Sequence, residues 1–421
     1  MHSSARPKRH RAKQVLIWLT GTLVALLVMG WWATLPVSPP DFYDPPEQVP
    51  AQPGRIVRVE PITQGVPAGA HGWRFLYTTT RQDGAPAVAS AVLLAPDGGA
   101  VSRPLIAWAH GTTGIARGCA PSLMADPFAG TPAVDGLLQK GWALVATDYV
   151  GMGTPGNHAY LVGEDAARAV LDSIRAATSH SEWQLSGDTV VWGHSQGGHS
   201  ALWSGIAAPT YAPDVKLRGV VAMAPASDLL GLTRENGASS FGKLISGFVY
   251  QAYGQVYADV AAMPIKPWAR LAMQDMARRC ITDRKALWTV AELWLLRNHS
   301  LLPSGADSRA LEKRLRQNSP FAPIQAPLLI AQGAADESIS SKVQQSFVQS
   351  RCKAGQSLRY IEYPSTNHMG LVARDSALTP DLLAWTSAQL ATSPSGKADM
   401  HTPTAGKRPP SASQTTMLDC G

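Results

Sequence analysis

Cysteine is scarce in this sequence, whose 421 residues include four, Cys119, Cys280, Cys352 and Cys420. None of them has the Cys-x-x-Cys spacing or the neighbouring histidines of a zinc site, so we expect no metal. Four cysteines are compatible with an oxidising compartment and allow three disulfide pairings. We favour Cys119 with Cys280, which would join an early loop to a later helical insertion. The polar tail around Cys420 counts against a pair with Cys352.

Charge is also sparse. Charged residues make up 16% of the chain and apolar residues 45%, a composition typical of a globular protein with a large core. The net charge of +7 depends on five basic residues in an N-terminal stretch without acidic residues: Arg6, Lys8, Arg9, Arg11 and Lys13. Without those five, 32 of the 37 basic residues remain against 30 acidic ones. The body therefore lacks the basic excess typical of nucleic-acid-binding proteins, and we expect no such partner.

Only one long stretch without charge is predicted to cross a membrane. Residues 15–35 are mainly apolar, and 21 residues at about 1.5 Å each suffice to span the hydrocarbon layer. Basic residues before this run predict that the body lies outside the cytoplasm. The candidate cleavage sites near Gly30 and Ala33 are poor, and Trp31 and Trp32 are typical of an interfacial anchor. We favour membrane attachment through residues 15–35 over a cleaved signal peptide, and both place the body extracytoplasmically.

Predicted strands and helices alternate along most of the chain, which favours an α/β fold with a mostly parallel, doubly wound sheet. The alternation stops between residues 229 and 320, where three apolar helical pieces are predicted at 241–253, 268–279 and 286–297. The last piece is apolar on more than one face. It is either a helix buried in the core or part of a cap over a functional site.

We divide the chain according to this pattern. The predicted parts are an N-terminal signal or anchor segment (1–35), a proline-rich spacer (36–53), a core in two stretches (54–228 and 321–391), a helical cap (229–320) and a disordered tail (392–421).

The motif Gly193-His194-Ser195-Gln196-Gly197 lies between a β-branched strand and a run that can be helical. This order is typical of a nucleophile elbow, in which a sharp turn exposes the serine hydroxyl at the strand end. The alternative is a structural glycine turn. The surrounding strand and helix favour Ser195 as a nucleophile.

Two further polar residues follow predicted strands. Asp336 comes after the strand at 327–331, and His368 follows the strand at 358–362. Parallel strands end at one edge of the sheet, so Ser195, Asp336 and His368 can meet there. A serine hydroxyl needs a base to accept its proton, and the base needs an acid to orient it. Asp228 is the rival acid, although it could equally cap a helix.

Other histidines could compete with His368 as the base: His110, His158, His194 and His299. His110 and His194 are better explained as structural residues beside the loops. An acyl-transfer site also needs two donors for the developing oxyanion. We expect these to be the backbone N–H groups of Gln196 and of Thr112 or Thr113, although residues 110–114 could also be a simple glycine-rich turn.

Together these motifs resemble the secretory lipase family of α/β-hydrolases, which comprises fungal secreted lipases and their bacterial relatives. The matching stretches are 110–114, Asp148-Tyr149-x-Gly151-x-Gly153, 193–198, Gly333-x-x-Asp336 and Asn367-His368, within a resemblance that covers about residues 53–391. The resemblance implies Ser195 as nucleophile, Asp336 as acid and His368 as base. It also implies a cap, ester substrates with acyl chains, disulfides and no cofactor.

We therefore expect a secreted or membrane-anchored serine carboxylic-ester hydrolase that acts on lipid or other esters through an acyl-enzyme. One alternative is a peptidase or acyltransferase on the same scaffold. Another is a non-catalytic binding protein with the same fold, against which the intact Ser–Asp–His set argues. The apolar cap is compatible with a lipase, but core packing explains it equally well, so lipase and esterase both stay open.

Overall fold

The computed structural model describes residues 7–98, 102–282, 286–391 and 415–420, and these residues form a single sheet of ten strands. The strands are β1 Ile56–Ile62, β2 Ala70–Thr80, β3 Pro86–Pro96, β4 Arg103–Ala109, β5 Ala143–Val150, β6 Leu185–His194, β7 Leu217–Met223, β8 Leu328–Gly333, β9 Leu358–Tyr363 and β10 Thr416–Cys420. The helices are α1 Pro7–Ala33, α2 Val134–Gln139, α3 Gly163–Ser179, α4 Gln196–Tyr211, α5 Leu229–Asn236, α6 Ser240–Val256, α7 Ala258–Ala261, α8 Pro267–Ala277, α9 Ala286–Leu295, α10 Arg309–Asn318, α11 Ser341–Lys353 and α12 Thr379–Ala391.

The strands are ordered β1-β2-β3-β5-β4-β6-β7-β8-β9-β10 across the sheet. The strands from β5 to β9 in this order pair in parallel, whereas β1, β2, β3 and β10 pair antiparallel. This arrangement confirms the predicted α/β fold with a mostly parallel sheet. The chain changes direction across the sheet at β4, whose neighbours are β5 and β6. Sites in such sheets form beyond the carboxyl ends of the strands at this switch point.

Both faces of the central strands are covered, which explains their nearly continuous apolar sequences. All eight residues of β5 are buried. In β6, Val190 and Trp192 belong to one hydrophobic cluster, and Val191 belongs to the cluster on the other face. Successive side chains of a strand point to opposite faces, so a single apolar strand contributes to both layers of the core.

The segment between β7 and β8 is helical and contains α5 to α10. Helix α6 packs inward, because Phe248 and Tyr253 are fully buried. Helix α9 does not, because Leu287 and Leu295 are 63% and 66% exposed. The interpretation of residues 286–297 as a helix buried in the core is therefore wrong.

Two terminal segments pack more closely than the sequence predicts. The stretch 36–53 is not a free spacer, because Tyr43 is fully buried and its hydroxyl lies 2.6 Å from that of Ser122. The predicted disordered tail 392–421 includes β10, which pairs with β9, so the prediction is wrong for these residues. Both differences arise from contacts with distant parts of the chain. Residues 392–414 and 421 of that tail lie outside the described residues, as does Arg6 of the basic N-terminal stretch.

Disulfides join Cys119 to Cys280 and Cys352 to Cys420. The first is the pair favoured from the sequence. It connects the loop after β4 to the segment between α8 and α9, which are 161 residues apart in sequence. The second attaches β10 to α11.

Helix α1 is long and apolar enough to cross a membrane over Ala12–Ala33, with a mean hydropathy of 1.9. None of this stretch is buried against the rest of the protein. A helix of a soluble core would bury most of its apolar surface, so this exposure is consistent with a signal or anchor segment.

Candidate active site

Ser195 lies in a strained turn between β6 and α4. Its φ of 58° and ψ of −119° fall outside the regions that a residue with a side chain ordinarily adopts. The turn is held on both sides, because the Ser195 amide donates to the Met223 carbonyl at 2.9 Å and the Ser195 carbonyl accepts from Ala226 at 3.1 Å. Such strain persists only where the surrounding structure enforces it, and it concentrates at functional sites.

The glycines on either side of the serine are required by close approach of the backbone. A Cβ at Gly193 would lie 2.0 Å from the Gly197 carbonyl oxygen, and one at Gly197 would lie 1.8 Å from the Ala109 oxygen. Both distances are impossible for real atoms. The Gly-x-Ser-x-Gly motif therefore allows β6, α4 and the end of β4 to meet around Ser195.

His368 and Asp336 are joined by a hydrogen bond. The two residues follow β9 and β8, and His368 Nδ1 lies 2.7 Å from Asp336 Oδ2. The Asp336 side chain is fully buried, and that of His368 is 13% exposed. The other Asp336 oxygen accepts from the amides of Ser338 and Ile339, each at 2.8 Å. These amides hold the carboxylate in place, so that it can orient the imidazole.

The loop that carries His368 is fastened to the residue before Ser195. The His194 Nε2 atom lies 3.0 Å from the His368 carbonyl oxygen, and the two imidazole rings are 4.4 Å apart between centroids. Neutral His194 can donate this hydrogen bond from Nε2. Ser195, His368 and Asp336 thus lie at the same edge of the sheet.

Asp228, the rival acid, has a different role. It precedes α5, and its Oδ1 accepts from the Gly231 amide at 2.9 Å. This is the side-chain geometry of a helix N-cap. The structure therefore places Asp336, and not Asp228, on the imidazole of His368.

The loop after β4 packs directly against the serine turn. A Cβ at Gly111 would lie 3.3 Å from His194 Nδ1 and 3.6 Å from Ser195 Cβ. The Thr112 side chain is engaged elsewhere, because its hydroxyl lies 2.7 Å from that of Tyr160. The Thr113 hydroxyl donates to the Cys119 carbonyl at 2.8 Å. The backbone of this loop is thereby held beside Ser195.

Gln196 follows the serine and is the first residue of α4. Its side-chain amide lies 3.0 Å from His158 Nε2. As a first-turn residue of the helix, it has a backbone N–H without an intrahelical acceptor. Its amide is therefore available to an anionic group at the helix N-terminus, while its side chain is directed to His158.

The histidines proposed as rival bases are held in other interactions. Burial lowers the pKa of His110 to about 4, and its Nδ1 lies 2.6 Å from the Gly111 carbonyl oxygen. Burial, followed by the charge of His110, lowers the pKa of His158 to about 3. Burial also lowers the pKa of His194 well below its usual value. Imidazoles that stay neutral in this way suit structural hydrogen bonds better than general-base catalysis near neutral pH. His299 is exposed and lies beside Trp268.

The Asp148-Tyr149-x-Gly-x-Gly motif supports the neighbouring loops. Asp148 is buried, which raises the pKa of its carboxyl to about 6 despite hydrogen bonds from Ser122 and Ser90. Tyr149 has a positive φ of 65°, and its hydroxyl donates to the His110 carbonyl at 3.1 Å. The motif therefore ties the loop after β5 to the loop that packs against Ser195.

One contact of the carboxylate was not anticipated from the sequence. Gln332 is fully buried, and its side-chain amide donates to Asp336 Oδ2 at 3.2 Å and to the Ile339 carbonyl at 3.1 Å. Gln332 is the polar residue of an otherwise apolar strand, β8. A polar side chain within a buried strand needs a partner, and that is the signal by which it could have been found.

Comparison with known proteins shows the family of this chain. The family model described as Secretory lipase matches residues 129–398. The secreted triacylglycerol lipase LIP4 of Malassezia globosa is 29% identical over 216 residues, which are 48% of this chain and 46% of that protein. A probable inactive lipase of Mycobacterium tuberculosis is 28% identical over 216 residues, which are 46% of this chain and 47% of that protein. The chain thus spans about half the length of these curated relatives.

Among solved structures, the rice cell wall degrading esterase LipA from Xanthomonas oryzae is similar in fold. The TM-score is 0.64 at 21% sequence identity, and the match covers 80% of this chain and 97% of that chain. At this identity the likeness concerns the α/β-hydrolase fold. The family match, the apolar N-terminal helix and the disulfides are all consistent with an extracytoplasmic protein. This chain belongs to the secretory lipase family.

Proposed function

We propose that this protein is an exported serine carboxylic-ester hydrolase in which Ser195 is the nucleophile, His368 the general base and Asp336 the orienting acid. The hydrogen bond between His368 Nδ1 and the buried Asp336 carboxylate carries the proposal. With Nδ1 engaged as a donor, the unprotonated Nε2 of His368 is the atom that can accept a proton from Ser195. The strained turn at Ser195 supports the same role, since the nucleophile of this fold lies in such a turn.

The proposed reaction has two steps. Ser195 Oγ attacks the ester carbonyl while His368 takes its proton, and the protonated imidazole then releases the alcohol from the tetrahedral intermediate. Water activated by His368 attacks the resulting acyl-enzyme and releases the carboxylic acid. In both steps the buried Asp336 carboxylate stabilises the imidazolium that forms.

The backbone amides of Gln196 and Thr112 are the proposed donors to the oxyanion. The Gln196 amide follows the nucleophile at the start of α4, and the loop of Thr112 packs against Ser195 through Gly111. The side chains of both residues bind other groups, which leaves their amides in fixed positions. Donors fixed before the reaction stabilise developing charge without reorganisation.

The proposed substrates are lipid or other esters, and residues 229–320 are the proposed cap. Phe248 of α6 packs edge-on against Tyr160 at 5.9 Å, and the Tyr160 hydroxyl contacts Thr112. Helix α6 therefore reaches the loop beside Ser195. Ser195 itself is only 8% exposed. Attachment to a membrane through residues 15–35 is proposed from the exposed apolar helix α1.

Hydrolysis of p-nitrophenyl esters of increasing chain length tests this proposal. We expect Ser195→Ala to lower kcat by several orders of magnitude, up to about 10⁶-fold as for a serine nucleophile in another fold. Ser204→Ala is the matched control, because Ser204 is a buried serine of the adjoining helix α4 and its hydroxyl donates to the Ser200 carbonyl of that helix. The chain length of the best substrate separates an esterase from a lipase.

Equal ester hydrolysis by the wild type and Ser195→Ala would contradict the role of Ser195. No hydrolysis by either protein would favour the peptidase, acyltransferase or binding alternatives. The similarity to a probable inactive lipase makes this second outcome informative.

A further inference from the structure

Helix α9 exposes much of its apolar surface. Its exposed side is an apolar stripe at helical spacing: Leu287 (63% exposed), Val290 (60%), Trp294 (62%) and Leu295 (66%). Its inward side holds the buried Thr289 and Leu293, and also Glu292, whose pKa is raised to about 7 by burial and by the nearby Asp275. A helix of a soluble protein places its apolar stripe against the core. The exposed stripe of α9 therefore has no partner within the described part of the chain.

Helix α8 extends the same apolar surface. Trp268 is 39% exposed and Leu271 67% exposed. We call the set Trp268, Leu271, Leu287, Val290, Trp294 and Leu295 the α8–α9 face. Exposed basic residues lie on these helices or directly at their ends: Lys266, Arg270, Arg278 and Arg297. An apolar stripe with tryptophans and basic neighbours is typical of a helix that lies in a membrane interface.

The end of α1 is fastened to this pair of helices. The Trp31 indole N–H donates to Asp275 Oδ1 at 2.9 Å. The fully buried Arg279 donates to the Trp31 carbonyl at 3.1 Å and to the Thr34 hydroxyl. Its guanidinium also lies 5.3 Å from the centroid of the Trp31 ring and 5.7 Å from that of Trp288. The point at which α1 ends is thereby held against α8 and α9.

We propose that the α8–α9 face lies on the extracytoplasmic surface of the bilayer that α1 spans. An apolar helix that crosses the membrane ends at the membrane surface, so helices bound to its last turn must lie there too. Helix α9 has ten residues and is about 15 Å long, which is too short to cross a bilayer. Its tryptophan and leucine side chains can enter the interface while the helix lies parallel to the surface.

The position of the α8–α9 face on the bilayer has a consequence for the candidate active site. This consequence rests on the proposed function. The segment between α8 and α9 pairs with the loop after β4. The Ile281 amide donates to the Thr113 carbonyl at 2.9 Å, and Cys280 and Gly114 form an antiparallel β-bridge. Thr112, the proposed oxyanion donor, is adjacent to this pairing. Contact of the α8–α9 face with the bilayer would therefore hold the site close to ester-containing lipids.

A fluorescence experiment tests the membrane contact without using turnover. The full chain carrying Ser195→Ala is reconstituted in vesicles of phosphatidylcholine and phosphatidylglycerol, so that the lipid is not hydrolysed. The native cysteines form two disulfides, which allows an environment-sensitive dye to be placed selectively on Leu295→Cys. Phe321→Cys is the matched control, because Phe321 is a large apolar residue that is 48% exposed outside this face. Nitroxide-labelled lipids then report contact with the bilayer.

We expect the nitroxide lipids to quench the dye at 295 strongly and the dye at 321 weakly or not at all. Equal quenching at both positions, or none at 295, would overturn the proposal. Energy transfer between dyes at 295 that rises with the protein-to-lipid ratio, without quenching by lipid, would show that a second copy covers the face and would also overturn it. Failure of the proposed hydrolase activity would leave these results unchanged.

A second variant confirms that the contact belongs to the face. With the dye on Leu271→Cys, the additional substitution Trp294→Glu places a charge in the interface and should reduce quenching by lipid. The corresponding Phe321→Glu should leave it unchanged. Both substituted side chains are exposed, so the fold should be retained, and the far-ultraviolet circular dichroism of each variant checks this. Undiminished quenching in Trp294→Glu would count against the proposal.

Discussion

Helices α3 and α9 differ in where they place their apolar side chains. Helix α3 begins with the acidic residues Glu164 and Asp165, and it buries Ala166, Val170 and Ile174. Helix α9 exposes its apolar stripe and turns Thr289 and Leu293 inward. The sheet covers the apolar surface of α3, whereas the apolar stripe of α9 stays exposed in the described part of the chain. In the proposal made above, the bilayer covers the exposed stripe of α9.

The largest expected effect is on ester hydrolysis, when the acidic residue at the edge of the sheet is changed. Asp336→Asn should lower kcat by about 10⁴-fold, because an amide no longer favours the required tautomer of His368 or stabilises its imidazolium. Asp228→Asn should leave kcat within about tenfold of the wild type, since asparagine is an equally good N-cap for α5. Ester hydrolysis by purified variants checks the ranking. The reverse ranking would assign the acid role to Asp228.

A smaller effect, on stability, is expected when the disulfide between the loop after β4 and the segment between α8 and α9 is removed. Replacing both Cys119 and Cys280 by alanine should lower the free energy of unfolding by about 2–5 kcal/mol, because the disulfide closes a long loop in the unfolded chain. The matched variant without Cys352 and Cys420 should lose about 1 kcal/mol less, since its sequence separation is 68 and not 161 residues. Denaturant unfolding in detergent measures both values. An unchanged free energy of unfolding in the first variant would show that the Cys119–Cys280 disulfide does not stabilise the protein.

The last prediction compares the two helices directly, and the smallest effect is expected in α9. Ile174→Ala in α3 should destabilise the protein by about 2–5 kcal/mol, because it leaves a cavity against the sheet. Leu295→Ala in α9 should change the free energy of unfolding in detergent by less than about 0.5 kcal/mol, because this side chain is exposed. Thermal and denaturant unfolding of both variants provide the measurement. A large destabilisation by Leu295→Ala would mean that α9 packs its apolar stripe within the protein.

Local patterns predicted most of the regular structure around the site. The strand predicted at 358–362 lies within β9, and the strand predicted at 327–331 overlaps β8. Each depends on the period of its apolar residues, which is a property of the local sequence. Strand β10 was not predicted because it is five residues long and acquires its hydrogen bonds from β9, far away in sequence.

The candidate site was predictable for a related reason. Ser195, Asp336 and His368 each follow a strand, and parallel strands bring such loops to one edge whatever their separation in sequence. Gln332 was missed because its partner, the Asp336 carboxylate, becomes evident only when the loop is folded. The buried Tyr43 was missed for the same reason, since its partner Ser122 is 79 residues away.

By itself, the sequence determined the order of strands and helices, the glycine-flanked turn at Ser195 and the apolar segment in α1, because these depend on short-range sterics and on the period of apolar residues. The tertiary structure alone decided that Asp228 caps α5, that α9 turns its apolar stripe outward, and that Trp31 is held by Asp275 and Arg279. These outcomes depend on which distant groups meet in space. Local sequence patterns do not specify such long-range contacts, because several pairings of distant groups are compatible with the same sequence.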